Sequence, residues 1–126
     1  MNVNFETAVL ASQAGFDGAS FEFYDSKGFL KSFRDSGGVA PQKRLNRPLL
    51  YISPLQSQLQ TWLREKGIMI EVNFYSNLGG VEYLVEVCHK DTWHEKTEYR
   101  RDTFSTYEKA LEKGLFQGLK ILKEKW

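Results

Sequence analysis

The hydrophobic positions change period at Gly67. Before it, Leu55, Leu59, Trp62 and Leu63 recur at i, i+4, i+7 and i+8, one apolar stripe of a helix, with Gln58, Gln60, Thr61 and Arg64 mostly off it. After it, Ile68, Ile70, Val72 and Phe74 alternate with Met69, Glu71, Asn73 and Tyr75, the period of a strand. The flanking residues agree with this division. Ser53 suits an N-cap, Pro54 the first helical position, and Gln56, three residues on, completes a capping box. Lys66 suits the negative end of the helix dipole, and Gly67 the left-handed residue that ends the helix. The span 53–72 thus organises the chain as helix start, helix, stop and strand.

The same reading extends to both sides. Residues 4–14 predict a short helix with Phe5, Ala8, Val9 and Ser12 on one face and Gly15 at its end. Two aromatic-rich runs, 20–24 and 29–33, flank Asp25-Ser-Lys-Gly and predict a hairpin, with Phe21 and Phe23 facing Phe29 or Phe33. Residues 34–48 hold two Gly and two Pro with little periodicity, which predicts a mobile loop inside one domain of 126 residues. Leu49 to Ile52 form a short extended lead into the helix. Beyond the strand at 68–75, Ser-Asn-Leu-Gly-Gly predicts a turn of five residues and an antiparallel partner strand at 81–88. Residues 94–102 are a weaker, charged strand that suits an edge. Ser105 and Glu108 form another capping box, and Tyr107, Leu111, Gly114, Leu115, Gly118 and Leu122 share one face of the last helix. That helix is too polar to span a membrane, so its G-x-x-x-G predicts close packing onto a sheet. Phe116 and Trp126 lie off the stripe and suit a second edge or a partner.

The fold class is therefore α+β: an antiparallel sheet of three or more strands with helices packed mainly on one face. The order is α-β-β in the N-terminal part and α-β-β-β-α in the C-terminal part. Composition narrows the setting. Hydrophobic residues are 41% and charged residues 26%, as in globular proteins. A membrane span needs about 18 consecutive apolar residues, and none of the runs approaches that. The start, Met-Asn-Val-Asn-Phe-Glu-Thr, has neither the basic residues nor the apolar block of a signal peptide. Cys88 is the one cysteine, which excludes an intrachain disulfide and fits a reducing, cytoplasmic setting. A net charge of +1 argues against a strongly electrostatic nucleic-acid binder, though a local patch survives a neutral total.

Three constellations bear on chemistry. Lys27, Lys31, Arg34, Lys43, Arg44 and Arg47 face only Asp35 between residues 27 and 47, a net of +5. With Phe29 and Phe33 they can grip single-stranded nucleic acid or an acidic protein surface; the plainer reading is a solvated loop whose aromatics are core. Cys88, His89, Asp91 and His94 bring zinc-ligand and nucleophile types together. Adjacent strand residues point to opposite faces, however, so a polar turn with an incidental cysteine is the simpler account. Glu71, Glu82 and Glu86 are paired carboxylates on neighbouring strands, which read as the solvent face of a sheet. No P-loop, G-x-S-x-G or H-E-x-x-H motif occurs.

Two stretches carry a resemblance. Ser53-Pro-Leu-Gln-Ser-Gln-Leu-Gln-Thr-Trp-Leu-Arg-Glu-Lys resembles the P-T-Q-S-L-x-Q-K-W-L-R-E segment of a family of small proteins from gut Bacteroidetes and their phages or mobile elements. Thr103-Phe-Ser-Thr-Tyr-Glu-Lys-Ala-Leu-Glu-Lys-Gly-Leu resembles that family's F-x-T-Y-E-E-A-L-E-x-G-L close. Gly15-Phe-Asp and the turn after Tyr24 fit its opening; Leu55, where the family has Thr, and the longer 34–48 loop depart from it. The resemblance implies a small, cytoplasmic, phage-associated protein and carries nothing about mechanism. The order helix, three strands, helix also resembles double-stranded RNA-binding domains. Their basic cluster at the start of the last helix is lacking here, where Glu108 and Glu112 balance Lys109 and Lys113.

These readings rank a non-enzymatic binding or accessory protein of phage or mobile-element origin first. Nucleic-acid binding through 27–47 comes second, and a small enzyme built on Cys88, His89 and His94 third. No cofactor or metal is implied. The partner is an unidentified protein or nucleic acid, and the chain is expected as a monomer or homodimer.

Overall fold

A computed structural model describes residues 1–20, 22–32, 40–41, 51–77, 80–90, 97–98 and 103–124. Among these residues, three helices and antiparallel sheets make the fold α+β. It divides into two compact units, Met1–Leu59 and Gln60–Trp126, with the division inside a helix.

In the first unit, helix α1 (Phe5–Gln13) starts on Asn4, whose side chain accepts from the Thr7 N–H at 2.9 Å. It stops at Gly15, which takes φ +92°. The Gly15 N–H donates to Ser12 and the Phe16 N–H to Ala11, a Schellman stop. The buried face is Thr7, Ala8 and Ala11 rather than the expected Phe5, Ala8, Val9 and Ser12. Small side chains there let the helix lie close to its neighbours, while Phe5 and Val9 stay half-buried. Strand β2 (Glu22–Tyr24) pairs with β3 (Leu30–Ser32) as the predicted hairpin. Strand β1 (Ala19–Ser20) pairs with β4 (Ala40–Pro41), so two residues of the span read as a loop are in a ladder. The rest of that span lies outside the described residues. Strand β5 (Tyr51–Ile52) pairs with the other side of β2.

The N-terminus is stitched to the segment before helix α2 (Gln56–Glu65). The Val3 N–H donates to the Pro54 carbonyl at 3.0 Å, and the Gln56 N–H to the Met1 carbonyl at 2.8 Å. This corrects the expected cap. The Ser53 hydroxyl lies 3.4 Å from the Val3 carbonyl and is committed there. Leu55 is the residue whose carbonyl accepts the first helical bond, from Leu59. Leu55 is consequently exposed, and Gln56 is buried beside Leu59 at the start of the helix.

In the second unit, β6 (Ile68–Asn77) and β7 (Gly80–His89) form a long hairpin. Their register runs from Ile68↔His89 to Asn77↔Gly80, so pairing continues past the strand ends expected at Tyr75 and Val81. Strand β8 (Thr97–Glu98) pairs with β7 at the edge of the sheet, within the strand expected at 94–102, whose other residues lie outside the described ones. Helix α3 (Tyr107–Glu124) packs on one face of β6 and β7. Its buried stripe is Ala110, Leu111, Gly114, Leu115, Gly118, Leu119 and Leu122. The predicted glycines are there for contact: a Cβ on Gly114 would lie 2.6 Å from Val85 Cγ2 and 2.7 Å from Ile70 Cγ2. The N-cap is Thr106 and not Ser105, because the Thr106 hydroxyl reaches the Lys109 N–H at 3.1 Å. Ser105 instead accepts from Lys109 Nζ. Tyr107, expected in the stripe, is exposed. No helix among the described residues is long and apolar enough to cross a membrane.

Candidate functional site

Of the six basic residues proposed as a site, Lys27 and Lys31 lie on the β2–β3 hairpin. Arg34, Lys43, Arg44 and Arg47 lie outside the described residues, as does Phe33. The hairpin turn is built by Asp25. Its Oδ1 accepts from the Lys27 N–H at 2.9 Å and the Phe29 N–H at 3.0 Å. Gly28 takes φ +86°, and its N–H donates to the Asp25 carbonyl at 3.0 Å. The Asp25 N–H in turn donates to the Phe29 carbonyl at 3.1 Å. The Phe29 amide, and then that of Lys27 and the Lys31 ammonium, hold the Asp25 carboxyl below the usual carboxylate range.

This turn decides where the side chains go. The register sets Phe23 opposite Lys31 and Tyr24 opposite Leu30. Phe29 is therefore not across from the strand aromatics, as expected, but 63% exposed at the turn, with Leu30 48% exposed beside it. Lys27 and Lys31 are both exposed. Lys31 Nζ lies 3.4 Å from Asp25 Oδ2, a surface ion pair of small energy. Behind the turn, the Tyr24 hydroxyl donates to the Val3 carbonyl at 2.6 Å. The Phe5 ring meets Tyr24 edge-on at 5.6 Å and Tyr51 at 6.0 Å. The Phe5 ring also lies under Gly28, 3.4 Å from where a Cβ would stand. The hairpin thus presents an aromatic, a leucine and two ammonium groups on a backbone fixed from behind. Charge and aromatic content were legible in the sequence; the exposure of Phe29 was not, because it follows from the turn.

Of the Cys88 constellation, Cys88 and His89 lie among the described residues. Cys88 is opposite Met69 and His89 opposite Ile68, on alternating faces of β7. His94 and Asp91 lie outside the described residues. No group of His, Cys, Asp and Glu able to hold a metal occurs among the described residues. Glu71 and Glu86 are direct cross-strand partners. On the side facing α3, the sheet runs past the start of the helix. There Phe74 is 70% and Val81 52% exposed. The Phe74 ring lies 6.4 Å from Tyr83, and Tyr83 lies 6.4 Å edge-on from Tyr107. Sequence reasoning set Phe74 in line with Ile68, Ile70 and Val72 by its alternation, and missed this aromatic row. Phe116 carries Lys120 Nζ 5.4 Å from its ring; Trp126 lies outside the described residues. Compared with protein-family models, curated proteins and solved structures, the chain matches none.

Proposed function

We propose that this chain is a non-enzymatic binding protein, an accessory factor of a phage or mobile element, and that it engages a partner protein with an acidic surface through the β2–β3 hairpin. The observation that carries the reading is Phe29, 63% exposed on a turn that Asp25 fixes, between two exposed lysines. An exposed aromatic on a rigid backbone loses little freedom on binding, which suits it to anchor a contact. Lys27 and Lys31 supply the complementary charge that steers an acidic surface. The phage or mobile-element origin rests on the resemblance of the 53–66 and 103–115 stretches. The lone cysteine supports a reducing, cytoplasmic setting.

Single-stranded nucleic acid is the second reading, favoured by the alternation of Lys27, Phe29 and Lys31. Such an alternation stacks a base and contacts the flanking phosphates. One experiment separates the two. The intact chain and its Phe29→Ala variant are used as bait in the native host, and both are titrated with single-stranded and duplex oligonucleotides at two salt concentrations. Capture of a protein by the wild type and not by Phe29→Ala, with no oligonucleotide binding, supports the first reading. Salt-sensitive binding of single strands that Phe29→Ala weakens supports the second. Equal capture and equal binding by the two chains removes the hairpin from both.

A further inference from the structure

We propose that two copies of this chain join edge to edge through β6, as an antiparallel pair centred on Phe74. The argument begins with Gln60, whose Nε2 donates to the Ile70 carbonyl at 3.0 Å. That carbonyl therefore points away from β7. Each residue of an antiparallel strand presents its N–H and C=O on one side, and the side alternates. Val72, Phe74 and Ser76 thus share the Ile70 side. β6 is the terminal strand of its sheet, and among the described residues no strand pairs with it there. Strand β7 has no such free edge, since β8 and a bridge to Phe104 cover it.

Free edges in monomeric proteins are guarded by charge, proline or a covering segment. Here Gln60 guards Ile70, and the guard stops. Residues 72–77 read Val-Asn-Phe-Tyr-Ser-Asn, with no charge and no proline. Asn73, Phe74 and Ser76 are exposed. The occupant that fits is a second copy of the same edge. Centred on Phe74, the register sets Phe74 against Phe74 of the second copy and Val72 against its Ser76. Each of the three residues then uses its outward N–H and C=O. No like charges meet, because none are present. The two-fold axis stands across the sheet, so both α3 helices lie on one face of a continuous sheet. Two Phe74 rings meet at the centre, each beside its own Tyr83, as an aromatic cross-strand pair.

The test is the mass of the full chain in solution by sedimentation equilibrium across a wide concentration range. A reversible dimer is expected. Ser76→Pro removes an N–H that the β7 ladder does not use, and Phe74→Lys sets like charges opposite each other at the axis. Each is expected to weaken the dimer about tenfold or more while the chain stays folded by circular dichroism. Val81→Lys alters another exposed residue of the same sheet face, on β7 and off the edge, and is expected to dimerise as the wild type does. A chain that stays monomeric throughout, a dimer unaffected by Ser76→Pro and Phe74→Lys, or one lost only in Val81→Lys would overturn the proposal.

Discussion

Asp25 ties the candidate hairpin together through one carboxylate. Its folded value lies below its ordinary 3.8, first because the Phe29 amide donates to it. The contribution to stability is therefore present above 3.8 and is lost as pH falls through the lower, folded value. The Phe29 amide should stay protected from hydrogen exchange near neutral pH and lose protection as the Asp25 carboxyl takes up its proton, below 3.8. Asp25→Ala should expose that amide at every pH, whereas Asp25→Asn, which keeps an acceptor oxygen, should retain much of the protection without the acid dependence. Proton NMR exchange on the three chains checks this. The aspartate, glycine and lysines of this turn could be read directly from the chain. The exposure of Phe29 could not, since an aromatic run gives the same signal whether its ring faces core or water.

Helix α3 and the β6–β7 hairpin meet through glycine. Gly114→Ala gains about 0.8–1 kcal/mol of helix propensity, but its methyl would stand 2.6 Å from Val85 and 2.7 Å from Ile70. Overpacking of that kind costs roughly 1–3 kcal/mol, so a net loss of about 1 kcal/mol is expected. Gly118→Ala meets Ile68 at 3.0 Å and the end of the Ile70 side chain at 3.2 Å, which can turn aside. It should fall within about 0.5 kcal/mol of the wild type. Urea unfolding of both variants checks the order. On the other face of the sheet, Glu71 opposes Glu86. Glu71→Lys replaces that repulsion by attraction and should raise stability by about 0.5 kcal/mol in the same assay. These elements were legible because their periods, 2 in the strands and 3.6 in α3, match the burial of Ile68, Ile70, Val85 and Val87 and of Leu111, Leu115 and Leu122. Their exact starts were less so. Ser53 and Ser105 look like caps, yet Ser53 has a competing acceptor in Val3 and Thr106 reaches the helix better. A hydroxyl's preference among acceptors depends on chain segments that local spacing does not show.

Taken whole, the chain carries 17 basic and 16 acidic residues, so any long-range attraction to nucleic acid comes from the local excess between 27 and 47. Engagement of all six cations by a single strand gives a slope of about −4 in log affinity against log salt. Replacing Lys27 and Lys31 by Gln should flatten it by about 1.4. A slope near zero leaves the acidic-protein reading. Charge bookkeeping of this sort is open to the sequence, whereas the route of the backbone is not. Nothing in Met-Asn-Val announces that the Met1 carbonyl will receive the Gln56 amide, or that Asn2 will donate to Ser53. That stitch has a consequence for synthesis. A ribosome delivers the opening residues long before their partners, so the first unit is completed only when the chain has emerged past Gln56.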